Sequence, residues 1–121
     1  MKQQIDNIVA QIKSTGLTDI KLLALVTDNS YEVIFYGNHN GVMSQSNNLA
    51  EAGILNLEFV DSIYRDVAEK VRADKNFNPL KMNIITAVDD GISDEITIEY
   101  DEKDCSVYSI KKRWKASVGI N

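Results

Sequence analysis

The residues with the greatest capacity for chemistry or binding in this sequence are the acids near its C-terminus. Carboxylates crowded on a short segment repel one another, so such a segment is typical of a strongly hydrated loop or of a surface that binds a cationic partner. We interpret this cluster mainly as a partner-binding surface. Residues 89–104 contain one base, Lys103, and eight acids: Asp89, Asp90, Asp94, Glu95, Glu99, Asp101, Glu102 and Asp104.

Two structural explanations compete with partner binding. Asp101, Glu102 and Asp104 precede the predicted last helix, where each negative charge stabilises the helix dipole by about 0.3–1 kcal/mol. A solvated hairpin would account for the other acids. Calcium binding is disfavoured, because residues 89–95 lack the acid spacing of an EF-hand loop. We therefore predict no metal site and no cofactor.

The formal charge is distributed unevenly along the chain. Residues 1–88, 89–104 and 105–121 carry net charges of −2, −7 and +4, within a total of −5. A chain that is acidic in bulk and strongly acidic at one end is a poor ligand for nucleic acid or for an anionic membrane. The pattern favours a basic protein as the partner.

Catalytic motifs are absent from the sequence. It contains no Gly-rich phosphate loop, Gly-x-Ser-x-Gly elbow, His-Glu-x-x-His or Cys-x-x-Cys pair. His39 and Cys105 are the only histidine and the only cysteine, and nothing in their spacing places them within the hydrogen-bond reach that a Cys-His mechanism needs. The acids form a hydrated run rather than two carboxylates across a cleft. We predict that the protein is not an enzyme.

Length and composition predict one domain spanning residues 1–121. A chain of 121 residues with 44% hydrophobic content can bury roughly two-thirds of its unfolded surface. The longest apolar runs, such as 22–26, are too short to cross a bilayer, and Lys2, Asp6 and Lys13 interrupt any secretory apolar stretch. With a single cysteine that cannot form an internal disulfide, these features predict a cytoplasmic protein.

Three segments have apolar residues at the three- and four-residue spacing of an amphipathic helix. These residues are Ile5, Ile8, Val9 and Ile12 in the first; Leu57, Val60, Tyr64, Val67 and Val71 in the second; and Val107, Ile110, Trp114 and Val118 in the third. The second helix must end before Pro79, because proline disfavours helical geometry in the residue before it. Trp114 is predicted to be a core residue.

Between the helices lie five segments typical of strands, at 20–26, 31–36, 42–46, 81–88 and 94–100. Turn signals at 27–30, 37–41 and 89–91 separate neighbouring strands. We predict an α+β domain with the order α-β-β-β-α-β-β-α. Its twisted antiparallel sheet of about five strands would carry helices on one face, leaving the other face free to bind.

Alternation along the last strand predicts which residues face the helices. Ile96, Ile98 and Tyr100 would face the helices, and the opposite face would carry Glu95, Thr97, Glu99 and Asp101. Tyrosine is enriched at protein interfaces. We therefore add Tyr100 and Tyr108 to the candidate partner-binding residues.

The C-terminal third resembles the YezG-like immunity proteins of bacterial polymorphic toxin systems. These end in an apolar and acidic strand, a Tyr/Phe-Asp-rich segment and a short helix with Tyr, Arg and Trp. Here the matching residues are 96–102, Asp104, Tyr108 and Arg113-Trp114, and the resemblance extends over about residues 94–115. It implies a cytoplasmic antitoxin that neutralises a cognate toxin, often a nuclease, as in contact-dependent growth inhibition.

Two further hypotheses remain open. A type III secretion chaperone is also small and acidic with a similar element order, and would be an obligate dimer that binds an effector segment. A small enzyme or metal-binding module would hold its carboxylates in a pocket and perturb their titration. The sequence leaves the oligomeric state open.

Overall fold

The computed structural model describes residues 2–89, 94–101 and 107–120, with the backbone pairing alone for 94–101. The helices and strands of these residues are α1 (Lys2–Lys13), β1 (Thr18–Val26), β2 (Tyr31–His39), β3 (Val42–Gln45), α2 (Ser46–Glu51), α3 (Leu57–Ala73), β4 (Met82–Asp89), β5 (Asp94–Asp101) and α4 (Val107–Ser117). The predicted α+β class is confirmed.

The strands form one antiparallel sheet in the order β3-β2-β1-β4-β5. The first three strands form a meander, and the chain then passes through α2 and α3 before β4 pairs with β1 on its free side. β1 is thus the central strand, whereas β3 and β5 are the two edges of the sheet.

The first face of the sheet packs against α1 and α3. Alternate residues of β1, such as Leu22 and Ala24, join Phe35 of β2 in a cluster with the apolar stripes of both helices. The side chains of Phe35 and Ile63 in this cluster are completely buried. This cluster is the larger of the two apolar cores.

The second face packs against α4. Leu23 and Leu25 of β1 alternate with the residues of the first face and contact Ile110 and Trp114 of α4 in a separate cluster. The prediction that all helices lie on one face, with the other face uncovered, is therefore wrong. The physical reason lies in β1, where every residue of Leu22–Val26 is buried. Such a strand is covered on both faces.

Two local features differ from the predicted boundaries. Helix α2 was not predicted, and its polar sequence SNNLAE has no apolar stripe. The turn predicted at 37–41 is shorter, because the left-handed residues Asn40 and Gly41 alone connect His39 to Val42, as in a type I′ hairpin. Gly37 lies within β2, where a Cβ would approach Leu17 Cδ1 to 3.0 Å.

The start of α3 is fixed by a capping residue. The Asn56 side-chain oxygen accepts hydrogen bonds from the backbone N–H groups of Glu58, at 2.8 Å, and Phe59, at 3.4 Å. This satisfies donors that the first helical turn leaves unpaired. The helix ends at Ala73, before Pro79 as predicted.

Candidate functional site

Four of the candidate acids lie on the edge strand β5: Asp94, Glu95, Glu99 and Asp101. The register pairs Glu95 with Val88, Glu99 with Ile84 and Asp101 with Met82 of β4. The strand sequence DEITIEYD contains no base. The fold thus brings a run of acids to one edge of the sheet.

Asp89, at the end of β4, is 7% exposed and forms an ion pair within the fold. Its carboxylate lies 3.0 Å from Lys13 Nζ of α1, and the register pairs its backbone with Ile20 and Asp94. A buried carboxylate needs such a partner to offset the loss of hydration. Asp89 therefore serves the packing of α1 against the sheet and is not an outward-facing contact residue.

Other predicted site residues cannot be assigned a surface. Asp90, Glu102 and Asp104 lie outside the described residues, as does Cys105. Tyr100 pairs in register with Asn83 of β4. The structure describes only the backbone of β5, so the predicted orientation of Tyr100 and of its neighbours on this strand stays a prediction.

Tyr108 is 73% exposed in the first turn of α4. Its helix follows the acid-rich segment in sequence and lines a groove on the second face of the sheet. An exposed tyrosine can anchor an interface, since its ring supplies contact area at small entropic cost. Its predicted role in partner binding stays a prediction.

The groove lies between α4 and the strands β2 and β3, and has a volume of about 470 Å³. We call it the α4 groove. The strands contribute Ile34, Tyr36 and Gln45, whereas the helical side consists of Tyr108, Lys111, Lys112, Trp114, Lys115, Ala116 and the nearby Ile120. It combines apolar and aromatic groups with three lysines.

Contacts within the protein hold the lysines of α4 near the groove. Lys111 forms an ion pair with Glu32 of β2. The Lys115 ammonium lies 5.9 Å from the centre of the Tyr36 ring, within the range of a cation–π interaction. Lys112 is exposed. These contacts position α4 over β2 and leave positive charge along the groove.

Trp114 is confirmed as a core residue, with 5% of its surface exposed. Its ring lies 6.0 Å from that of Tyr36. Lys21 of β1 donates a hydrogen bond of 2.7 Å to the carbonyl oxygen of Val118, just beyond α4. Among the described residues, the Trp114 Nε1 donor has no acceptor. Trp114 thus belongs to the smaller apolar cluster, between α4 and the second face of the sheet.

A small polar network lies on the first face, beneath α3. The Ser46 hydroxyl at the start of α2 contacts the Tyr64 hydroxyl, which also donates to Asn47 Oδ1 at 3.3 Å. Burial is the main cause that raises the pKa of Tyr64, and Asp61 raises it further, against the opposing effect of the Ser46 hydrogen bond. A neutral, hydrogen-bonded tyrosine joins α2 to α3 here.

The described residues offer no cluster of three or more His, Cys, Asp or Glu side chains that could hold a metal ion. The Nε2 atom of His39, the last residue of β2, lies 3.2 Å from the side-chain amide nitrogen of Asn40. Cys105 lies outside the described residues, so the structure gives no distance between Cys105 and His39.

The α4 groove was missed by the sequence interpretation, although a signal for it was present. Tyr108, Lys111, Lys112 and Lys115 follow a spacing of i, i+3, i+4 and i+7 on α4. This is the spacing of one helix face. The prediction of this helix rested on its apolar stripe alone, and the lysines lie outside that stripe.

Comparison of the chain with models of protein families, with curated proteins and with solved structures gave no match. Within residues 2–89, 94–101 and 107–120, no helix is long and apolar enough to cross a membrane.

Proposed function

We propose that this protein is a non-enzymatic immunity protein, an antitoxin that binds and neutralises a cognate bacterial toxin domain through its acidic surface. The observation that carries the proposal is the acidic edge strand β5, with four acids and no base among eight residues. The resemblance of residues 94–115 to YezG-like immunity proteins supports the same role. The protein would act in the cytoplasm, where the toxin reaches its target.

A nuclease is the toxin domain that fits this surface best. Its active site must be basic to hold phosphates, so an acidic protein can imitate the charge of the substrate. Complementary charge also raises the association rate, which favours an inhibitor that must capture a toxin before it acts. Asp89 takes no part in the proposed surface, because it pairs with Lys13.

The position of the acids on a sheet edge supports binding of a folded partner. β5 pairs with β4 along its whole length, from Asp94 opposite Asp89 to Asp101 opposite Met82. Backbone pairing fixes the spacing of the acids before binding, so less conformational entropy is lost on association than from a disordered acidic tail. An edge strand has a second side without a strand neighbour, where a partner can approach.

The first test reverses the charge of three β5 acids with Glu95→Lys, Glu99→Lys and Asp101→Lys together. We expect affinity for the C-terminal domain of the cognate toxin to fall by at least about a hundredfold. The melting temperature should not fall, because relief of like-charge repulsion offsets the lost charges. Calorimetric titration and thermal unfolding provide the two measurements.

A matched control makes the same charge change elsewhere. Glu51, Asp61 and Glu69 are exposed acids on α2 and α3, so their triple replacement by lysine should leave toxin binding within about threefold. Unchanged affinity in the β5 variant, or an equal loss in the control, would contradict the proposal. An obligate dimer in light scattering, with no binding of the toxin domain, would instead favour the secretion chaperone.

A further inference from the structure

The α4 groove carries charge opposite to that of β5. It is lined by Lys111, Lys112 and Lys115, of which Lys111 forms an ion pair with Glu32. The helix sequence VYSIKKRWKAS itself contains no acid. Within the part of the chain that the structure describes, two lysines of the groove, Lys112 and Lys115, thus remain after the ion pair is counted, in a protein whose net charge is −5.

The same groove has an apolar and aromatic floor. Ile34 and Tyr36 of β2 and Trp114 of α4 line it, and the exposed ring of Tyr108 stands at its rim. A volume of about 470 Å³ lies in the range of sites that bury one or a few ligand groups. An apolar floor beside cations is suited to a ligand that combines a large apolar group with negative charge.

We propose that the α4 groove is a second docking surface, which binds a short acidic segment of a protein partner through an aromatic side chain seated between α4 and β2. Carboxylates of the segment would pair with Lys112 and Lys115. This proposal goes beyond the antitoxin role, because it assigns a surface of opposite charge and depends on none of the β5 acids.

Charge complementarity favours a short acidic peptide segment over a nucleic acid. A nucleic acid strand is a long polyanion, and a protein with a net charge of −5 would repel the part of the strand that extends beyond the groove. A peptide segment with only two or three carboxylates can pair its charges with the lysines of the groove and needs no further cations. The groove also lies between a helix and the β3 side of the sheet, which suits an extended backbone.

The test uses the fluorescence of Trp114, the only tryptophan in the chain. The probe is a short capped peptide of alternating glutamate and phenylalanine, titrated into the full-length protein. We expect a saturable change in Trp114 emission, weakened by added salt because exposed charges are screened. A peptide with lysine in place of each glutamate should cause no change.

Variants of the groove test the contacts. Lys112→Glu with Lys115→Glu should weaken binding of the acidic peptide by at least about tenfold. Tyr108→Ala, which alters only an exposed side chain, should weaken it by roughly fivefold and keep the fold intact. Lys70→Glu, an exposed lysine of α3 on the other side of the sheet, is the matched control and should leave the affinity unchanged.

Three outcomes would overturn the proposal. These are no response of Trp114 to the acidic peptide, equal affinity in the folded groove variants and the control, and tighter binding of a short oligothymidylate than of the peptide. The β5 variant Glu95→Lys, Glu99→Lys, Asp101→Lys separates this proposal from the antitoxin role. It should lose the toxin domain yet still bind the acidic peptide.

Discussion

The two faces of the sheet are built differently from the same central strands. On the first face, α1 and α3 cover a large cluster that includes the completely buried Phe35 and Ile63. On the second face, α4 alone covers a smaller cluster and borders a groove of about 470 Å³. We therefore expect the first face to supply more of the stability, whereas the second face carries the groove that we propose as a docking surface.

The largest difference between the faces should appear in matched cavity substitutions. Ile63→Ala on α3 should lower the free energy of unfolding by about 4 kcal/mol, and Ile110→Ala on α4 by about 2 kcal/mol. Ile63 lies in the larger cluster formed by two helices and the sheet, whereas Ile110 lies in the smaller cluster, whose members Tyr36 and Trp114 also line the groove, so we expect its site to relax more. Urea unfolding of both variants measures the difference, and equal losses would contradict the comparison.

Hydrogen bonding beneath α3 provides the next test. Tyr64→Phe leaves the buried Ser46 hydroxyl with one partner fewer, so it should cost about 1.5 kcal/mol. Burial raises the pKa of Tyr64 above its usual 10.0. Stability linked to this group is therefore full below pH 10.0 and is lost as the pH rises through the pKa of the folded state.

The measurement is urea unfolding of the wild type and Tyr64→Phe at a series of alkaline pH values. The wild type should lose more stability than the variant as the pH rises, so the difference between them should shrink. Tyr108→Phe on α4 is the matched control and should retain the wild-type slope. A constant difference between wild type and Tyr64→Phe would show that Tyr64 does not act through its buried hydroxyl.

The smallest expected effects concern the two ion pairs that connect helices to the sheet. The Asp89 side chain is 10% exposed beside Lys13, whereas the Glu32 side chain is 43% exposed beside Lys111. After allowance for solvent screening, we expect coupling energies of about 1 kcal/mol for the first pair and about 0.3 kcal/mol for the second.

Double-mutant cycles measure these couplings. One cycle combines Lys13→Met with Asp89→Asn, and the other combines Lys111→Met with Glu32→Gln. Added salt should reduce the second coupling proportionally more, since exposed pairs are screened more strongly. A larger coupling for Lys111 and Glu32 would reverse the assignment of stability to the first face.

Regular elements were predictable because their sequence patterns are local. The stripes of α1 and α3 and the Asn40-Gly41 turn follow from side-chain spacing and backbone preference. Helix α2 was not predictable in this way, because six polar-rich residues carry no period. Its position depends on Ser46 and Leu49, which are buried through contacts with distant parts of the chain.

The covering of the second face could have been predicted. Leu22–Val26 is apolar at every position, which indicates a strand buried on both sides rather than one with a free face. The ion pair of Asp89 could not, because Lys13 lies far away in sequence and only the folded register brings the two together. The acids of β5 were correctly predicted to lie on a strand, because acidic and apolar residues alternate there.

The hydrogen bond from Lys21 to Val118 joins positions 97 residues apart, and this has a consequence for synthesis of the protein. Domains emerge from the ribosome N-terminal end first. Leu23, Leu25, Ile34 and Tyr36 are made long before α4, which covers them. Until α4 has been synthesised and released from the ribosome, the nascent chain exposes this apolar surface. We therefore expect a nascent chain that is stalled before residue 107 to be prone to aggregation and to bind chaperones.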